Sequence, residues 1–272
     1  MPCSHEKAHN IYGQCMAEAS REAMKRHAPG RRPFLLSRSG FAGLQRFSAT
    51  WTGDNRSNWE HLKLANFQCQ RLAASGISFA GSDAGGFLGH PTPELFCRWM
   101  QVAAFHGLFR NHSSGEFGGQ EPWMFGLEAA GYVKAAIEGL YRLLPGMPVL
   151  RSLALQCFEN MDTYWRGAEF FFGDHLYVIP IHEPQEGGRF LYIPEGVWYS
   201  YHDDSLMRET GRDLWVKCPL DFLPVYVRGG AVVPRWPVQQ YVGEIPRPPL
   251  SLDVWWAPSG EVESRLYEDA GD

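Results

Sequence analysis

The chain has 272 residues, of which 44% are hydrophobic, so it can bury a sizeable core and form more than one domain. A formal net charge of −5 argues against nucleic acid as a partner, and no apolar run approaches the roughly 20 residues that a membrane span needs. The six cysteines lie far apart and include no CxxC pair, which favours reduced thiols and a cytoplasmic location over a disulfide framework.

Helical and strand patterns alternate up to about Pro148, which indicates a parallel sheet covered by helices. In chain order the predicted elements are an amphipathic helix over 9–27, a buried strand over 32–38, a helix over 58–75, a buried strand over 77–81, a helix opened by Thr92, a buried strand over 105–109 and a helical stretch over 121–144. Thr92 is the expected N-cap of its helix, with Glu94 in the first turn. We predict that Trp99 and Trp123 lie in the core.

After Pro148 the pattern changes to strand-like runs separated by Gly, Pro and Asp turns. These runs cover 170–181, 188–201, 223–234 and 250–256. Short strands at this spacing predict an all-β sandwich. The last run and the residues after it are predicted to form a hairpin around Pro258, Ser259 and Gly260.

Polar side chains follow the predicted parallel strands, where the active site of an α/β barrel is built. Arg38 ends the first strand, Asp54 lies in WTGDN, Asp83 follows ISFAG, and Arg110, Asn111 and His112 follow FHGLF. A single aspartate after a strand is more often a turn former or an N-cap. Charged or imidazole groups at four consecutive strand ends, beside glycines that let a ligand approach the backbone, favour a functional site.

These segments carry a resemblance to a known family. The blocks RPFLLSRSGFAGLQRFSATWTGDN, GISFAGSDAGGF, ELFCRWMQVAAFHGLFRNHSSG and PLDFLPVYVRGGAVVP resemble consecutive blocks of glycoside hydrolase family 31, which contains α-glucosidases. The spacing also matches, since Asp54 lies 16 residues after Arg38 and is followed by Asp83 after 29 residues and by His112 after 58. The resemblance implies an α/β fold, with the second half of a (β/α)8 barrel over 1–147, an all-β sandwich over 148–238 and the start of another β domain over 239–272.

The resemblance also implies a function. It predicts a retaining α-glucosidase that releases terminal non-reducing α-linked glucose from oligosaccharides, without a cofactor or a metal. Asp54 matches the general acid/base of the family. The other implied site residues bind the sugar, through hydrogen bonds from Arg38, Asp83 and His112 and through aromatic walls formed by Trp51 and Phe87. For the two aromatic residues, packing in the core is the alternative.

The match has two gaps. In the family the nucleophile is an aspartate in a motif that resembles W-x-D-M-N-E, and no such string occurs in this sequence. We therefore expect the chain to begin after the nucleophile. The resemblance further implies that about a dozen or more residues of the last barrel helix are absent after Pro145, because Gly146 follows the LLP motif at once. A half-barrel leaves strand edges unpaired, so a complementary chain or an oligomer is expected to supply the other half. The chain alone is expected to turn over little or no substrate.

Two other classes of function compete with this interpretation. His5, Glu6 and His9 form a literal HExxH, which on a helix places two imidazoles on one face for zinc with the glutamate as base, as in a metalloprotease. A third zinc ligand stands at no recognisable spacing. The second alternative is a non-catalytic carbohydrate-binding or assembly subunit that keeps the sugar pocket. A serine hydrolase is disfavoured because no GxSxG elbow occurs.

Overall fold

A computed structural model describes residues 3–146, 149–184 and 187–258, together with Gly260, Ser264 and Leu266. The α-helices are α1 (His5–His27), α2 (Trp59–Ala74), α3 (Pro93–Ala103), α4 (Leu127–Leu143) and α5 (Leu153–Gln156). Four 3-10 turns cover Leu44–Arg46, Pro122–Phe125, Leu144–Gly146 and Met161–Trp165. The strands are β1 (Leu36–Ser37), β2 (Ala49–Trp51), β3 (Ala80–Gly81), β4 (Asp83–Ala84), β5 (Arg110–Asn111), β6 (Leu150–Ser152), β7 (Phe170–Phe172), β8 (Leu176–Val178), β9 (Gly188–Ile193), β10 (Trp198–Ser200), β11 (Arg212–Lys217), β12 (Val225–Arg228), β13 (Val232–Arg235) and β14 (Ser251–Val254).

The first part of the chain contains short parallel strands. Strands β1, β2 and β3 form one parallel sheet in that order, and β4 pairs in parallel with β5. The amide of Leu108 donates a hydrogen bond of 3.0 Å to the carbonyl of Ala80, which connects the two pairings. Within the described ranges these strands do not close into a ring, so they form an open arc.

Local signals explain where the helices on this arc begin. The side chain of Asn58 accepts a hydrogen bond of 2.8 Å from the amide of His61 and caps α2. Thr92 caps α3 in the same way, through a bond of 3.2 Å from the amide of Leu95, and Pro93 occupies the first turn. The predicted N-cap is therefore confirmed, and α3 is buried from Leu95 to its end at Ala103.

Helix α1 is present where the sequence predicts a helix, but its apolar face is exposed. Tyr12 and Met16 are 55% and 57% exposed, and Ala17 is its buried residue. The amphipathic pattern correctly predicts the helix. It does not specify what covers the apolar side, and among the described residues nothing buries it.

A five-stranded antiparallel sheet forms the centre of the second part, in the order β10-β12-β8-β7-β6. Alternate residues of each strand point to opposite faces, so the sheet separates two cores. In β8, Leu176 and Val178 join α2, α3 and α4 in the first core. Tyr177 lies between them and joins the second core, which Leu191 of β9 also enters. The β9–β11 ribbon thus packs over the sheet face opposite to the helices.

Buried polar side chains join the two parts. Arg98 of α3 is 1% exposed, and its guanidinium donates hydrogen bonds to the carbonyls of Phe222 and Cys218, both of 2.7 Å. Asn66 of α2 donates a bond of 2.7 Å to the carbonyl of Ala168. A buried guanidinium needs its donors satisfied, so these bonds tie the helices to the loops of the β part.

The last described strand has an unexpected partner. Strand β14 pairs antiparallel with β13, with Val232 opposite Val254, and Trp255 enters the core beside Val233. The second strand of the hairpin predicted around 258–260 lies mostly outside the described residues.

The two predicted core tryptophans behave differently. Trp99 is completely buried, and its indole N–H donates a hydrogen bond of 2.9 Å to the hydroxyl of Ser82, so this prediction is confirmed. Trp123 is 69% exposed, so the prediction for this residue is wrong. It lies on the surface 3-10 turn Pro122–Phe125, in which Phe125 instead turns inward and stacks on Phe96 at 4.2 Å between ring centroids.

None of the described helices combines the length and apolar character needed to cross a bilayer. The six cysteines are all free thiols. Burial of three of them (Cys69, Cys97 and Cys218) raises their thiol pKa. These three thiols are therefore small core residues, since the reactive form of a cysteine is the thiolate.

Two buried histidines predict an acid-sensitive fold. His106 and His182 are 3% and 4% exposed, and burial lowers the pKa of His106 to about 4 and that of His182 to about 3. The unfolded chain protonates histidine near pH ~6.5, whereas these two imidazoles stay neutral in the folded chain. Their contribution to stability is complete above that pH. For each histidine, we expect this contribution to be lost as the pH falls from the unfolded pKa of about 6.5 towards its pKa in the folded chain. For His106 the total loss is roughly 3 kcal/mol.

Urea unfolding between neutral and weakly acid pH measures this loss. A His106→Phe variant should show a smaller decrease in unfolding free energy on acidification than the wild-type chain. Replacing the exposed His27 with glutamine should leave the decrease unchanged. Equal acid sensitivity of the wild type and the His106→Phe variant would contradict the assignment.

Candidate active site

The polar residues predicted at the strand ends lie at one end of the parallel strands. Arg38 directly follows β1, and Asp54 lies in the turn after β2. Their side chains form an ion pair of 3.4 Å between Arg38 Nη2 and Asp54 Oδ2, with 59% and 37% of the two side chains exposed. Such an open pair contributes little stability. The ion pair instead positions the Asp54 carboxylate beside a cation at the carboxyl end of the strands.

Asp83 is the buried charge of this site. It lies on β4 directly opposite Arg110 of β5, and the two side chains form a close ion pair through Asp83 Oδ1. Burial raises the pKa of the Asp83 carboxyl, although the hydrogen bond and charge of Arg110 act in the opposite direction. The second carboxylate oxygen, Oδ2, is buried and has no hydrogen-bond partner among the described residues. It is therefore an acceptor that a bound hydroxyl group can satisfy.

Arg110 also connects Asp83 to Trp51. Its guanidinium carbon lies 5.2 Å from the centroid of the Trp51 ring, in cation–π geometry. Trp51 is half-buried at the end of β2. One arginine thus contacts two predicted sugar-binding residues, Trp51 on β2 and Asp83 on β4, whereas the sequence placed Arg110 at a strand end without assigning it a contact with the sugar-binding residues.

His112 and Phe87 form the other side of the site. Their rings stack at 5.3 Å between centroids with an interplanar angle of 29°. The charges of His112 and Asp54 both act on the pKa of the Asp83 carboxyl, the first lowering it and the second raising it, after the larger effects of burial and Arg110. These interactions show that the three titratable groups from different strand ends share one region.

The loops after the strands are joined by backbone hydrogen bonds. The carbonyl of Asn55 accepts bonds from the amides of Phe87 and Leu88, of 2.8 Å and 2.9 Å, and the carbonyl of Phe87 accepts a bond of 3.0 Å from the amide of Ser114. Gly86 permits this approach, because a Cβ atom there would lie 2.6 Å from the Ser57 amide nitrogen, and its φ of 94° favours glycine. The Asp54, Asp83 and His112 loops are thus linked directly.

Gln120 is a supporting residue that the sequence did not identify. It is 5% exposed, and its amide nitrogen donates hydrogen bonds to the Ala84 carbonyl at 3.0 Å and to Asn111 Oδ1 at 2.9 Å. Asn111 donates back to the Gln120 carbonyl at 2.6 Å. These bonds fix the chain around Asp83 and His112. The sequence pointed to this residue only through the motif QEPW, which follows the predicted strand over 105–109.

A cavity of about 500 Å³ adjoins this region between β2 and α2. Arg38, Trp51 and Gly53 line one side, while Gln68 and Leu72 of α2 line the other. The remaining predicted residues, Asp54, Asp83, Phe87 and His112, are not part of its wall. The described chain therefore places the predicted residues in one region but does not enclose them in a single pocket.

The HExxH motif has a different environment from a zinc centre. His5 and His9 lie in the first turns of α1, where their ring nitrogens contact each other at 3.0 Å. Within the described part of the chain, no group of three histidine, cysteine, aspartate or glutamate residues is placed to hold a metal ion. A catalytic zinc needs three protein ligands, so the described residues do not form the predicted alternative site.

Acidic, basic and imidazole side chains thus lie together at the carboxyl ends of parallel strands. This arrangement is typical of the active site of an α/β-barrel enzyme. Residues 1–147 match the TIM-barrel domain model of glycosyl hydrolases family 31, and residues 146–233 match the C-terminal domain model of the same family. The chain therefore belongs to glycoside hydrolase family 31.

Among its relatives is alpha-glucosidase 2 of Bacillus thermoamyloliquefaciens, with 37% identity over 99% of this chain and 36% of the relative. That alignment spans 282 positions while this chain has 272 residues, so at least ten positions of the alignment have no counterpart here. A glucosidase II alpha subunit with bound Glc1Man2 superposes with a TM-score of 0.93 and 28% identity over 98% of this chain and 31% of that one. A mutant Flavobacterium johnsoniae dextranase complexed with isomaltotriose has a TM-score of 0.87 and 30% identity over 93% of this chain and 34% of that one. This chain thus spans about a third of each of these proteins.

Proposed function

We propose that this chain forms part of a retaining α-glucosidase that removes terminal non-reducing α-linked glucose from oligosaccharides. The observation that carries the proposal is the convergence of Asp54, Asp83 and His112, from three different strand ends, in one region with linked loops. The relative named as an α-glucosidase supports the substrate class. We further propose that residues 1–147 are the second half of a (β/α)8 barrel, 148–238 a β-sandwich domain and 239–272 the beginning of another β domain.

In this proposal Asp54 is the general acid/base. Cleavage of a glycosidic bond requires a proton on the leaving oxygen, and in a retaining enzyme a second carboxylate attacks the anomeric carbon from the opposite face. Asp54 suits the first task because its carboxyl is partly exposed at the mouth of the strands, where an aglycone can reach it. Arg38 holds the carboxylate in place between the two proton transfers.

The remaining residues bind the sugar. The unpartnered Oδ2 atom of Asp83 and the exposed ring of His112 offer one acceptor and one donor to the hydroxyl groups of a hexose. Trp51 and Phe87 offer apolar ring faces to the C–H surface of the pyranose. Asp83 itself is not a suitable nucleophile, because it is buried and paired with Arg110. We therefore propose that the nucleophile is a carboxylate from outside these 272 residues.

Azide provides a test of this proposal, because it can act as the nucleophile in place of the second carboxylate. A chain with a general acid but no nucleophile should hydrolyse 4-nitrophenyl α-glucoside negligibly. When azide is added at high concentration, it should attack the anomeric carbon as the bond to the leaving oxygen breaks, while Asp54 protonates that oxygen. A single displacement inverts the centre, so the expected product is β-glucosyl azide, identified by mass spectrometry and NMR.

Two other outcomes decide between the alternatives. Calorimetric binding of maltose without any glucosyl azide would support a non-catalytic carbohydrate-binding or assembly subunit. Rapid hydrolysis without azide would overturn the proposal that the nucleophile lies outside this sequence. Stoichiometric zinc in the purified protein, lost in a His5→Ala variant, would instead support the metalloprotease alternative.

A further inference from the structure

A second cavity lies at the opposite end of the parallel strands from the candidate active site. Its volume is about 410 Å³, and the residues that precede β3 and β5 form one side of it. The end of α4 and the start of β6 form the other side. Its apolar walls are formed by Phe79, Leu140, Leu143, Leu144, Leu150 and Phe172. A cavity of this size and character is typical of small-molecule sites.

One buried polar side chain faces this apolar cavity. His106 lines it and is 3% exposed, and neither of its ring nitrogens has a hydrogen-bond partner in the described part of the chain. Burial lowers the pKa of His106 to about 4, so at neutral pH its ring has one N–H donor and one acceptor nitrogen. Buried polar groups are nearly always paired in folded proteins, and this imidazole is an exception. A ligand in the cavity can provide the missing hydrogen-bond partner.

The cavity also borders the place where this chain is expected to be shorter than its family. At least ten positions of the alignment with the Bacillus relative have no counterpart in this chain. The family resemblance predicts a shortening directly after Pro145. Leu144 and Val149 flank that place, and both line the cavity. The cavity itself lies at the end of the strands remote from Asp54.

We propose that this cavity binds a compact aromatic or branched apolar molecule that carries one hydroxyl group, of the phenol class, with the hydroxyl hydrogen-bonded to His106. Such a hydroxyl donates one hydrogen bond and accepts another, so it can use either nitrogen of a neutral imidazole. The apolar body packs against the leucine and phenylalanine walls. An ionic ligand is disfavoured, because these walls offer no opposite charge to offset the loss of its hydration.

Titration of the full chain with phenol and with toluene tests this site. The two probes have the same shape, and only phenol can bond to His106. We expect calorimetry to show phenol binding about five- to tenfold more tightly than toluene, which is the effect of one net hydrogen bond. A His106→Phe variant should lose the preference for phenol and bind toluene at least as tightly, because the phenol hydroxyl would then be buried without a partner. A Leu143→Trp variant, which fills the cavity, should bind neither.

Each other outcome contradicts the site. Equal affinity of the wild-type chain for the two probes would exclude the hydrogen bond, and binding that survives Leu143→Trp would place the ligand elsewhere. If the His106→Phe variant does not fold, the ¹⁵N shifts of His106 in the wild-type chain provide the second measurement. They should move on addition of phenol and stay constant with toluene. No binding of either probe would overturn the proposal, whatever the activity at Asp54.

Discussion

Replacing Asp83 with alanine is expected to lower the free energy of unfolding by about 2–3 kcal/mol and to weaken maltose binding by about tenfold or more. The Asp83 side chain is 1% exposed and its partner Arg110 is 27% exposed. Removing the carboxylate leaves a half-buried guanidinium over the Trp51 ring without its counter-ion. The loss stays below that of a fully buried pair because water reaches Arg110.

Urea unfolding and calorimetry measure the two effects. Asp174→Ala is a matched control, because Asp174 also pairs with an arginine, Arg151, but the side chains of that pair are 64% and 46% exposed. It should cost less than about 1 kcal/mol and leave maltose binding intact. In a double-mutant cycle, Asp83→Ala and Arg110→Met should be far from additive. Equal losses at Asp83 and Asp174, or additive effects, would show that the buried pair has no special role.

The largest effect on chemistry is expected for Asp54→Asn. An amide cannot deliver a proton, so formation of glucosyl azide from an alkyl α-glucoside should fall by about 10²- to 10⁴-fold. A substrate with a good leaving group, such as α-glucosyl fluoride, needs little protonation and should react almost as fast as with the wild-type chain. The dependence on the leaving group distinguishes a general acid from a residue that only binds the sugar.

Product formation with both substrates should be followed in parallel for the wild type, Asp54→Asn and Asp162→Asn. Asp162 is an exposed aspartate in the 3-10 turn Met161–Trp165, so the same chemical change there should have no effect on either substrate. If Asp54→Asn slows both substrates equally, Asp54 has a binding or structural role. If it slows neither, another residue is the acid.

Much of the candidate site follows from local sequence patterns. Short apolar runs followed by polar residues predict strand ends, and Thr92 is recognisable as a cap from its own neighbours. The positions of Arg38, Asp54, Asp83 and His112 at one end of the sheet follow from parallel strand order alone. Their assignment to a sugar site depends on the family resemblance, which the two family models support.

The partnerships within the site could not be predicted in this way. Asp83 and Arg110 are opposite each other only because β4 and β5 pair in one particular register. The sequence contains both residues but no sign of that register, and it offers no reason to place Arg110 on the face of Trp51. Gln120 was missed for the same reason, because its role depends on the approach of three separate loops.

Exposure is the other property that sequence patterns could not decide. Trp99 and Trp123 both stand in apolar surroundings, yet the first is buried under Ser82 and the second is 69% exposed. Helix α1 has a clear apolar stripe that nothing in the described chain covers. Burial depends on what lies opposite a side chain, and that partner is distant in sequence.

The sequence by itself determined the alternation of strands and helices, the residues that follow each strand and the family to which the chain belongs. These properties depend on neighbours within a few turns of the chain, or on a long ordered set of motifs. Only the tertiary structure decided the Asp83–Arg110 pair, the pairing of β13 with β14 and the unpartnered imidazole of His106. Each depends on contacts between residues far apart in the sequence, which form only when the separate layers pack together.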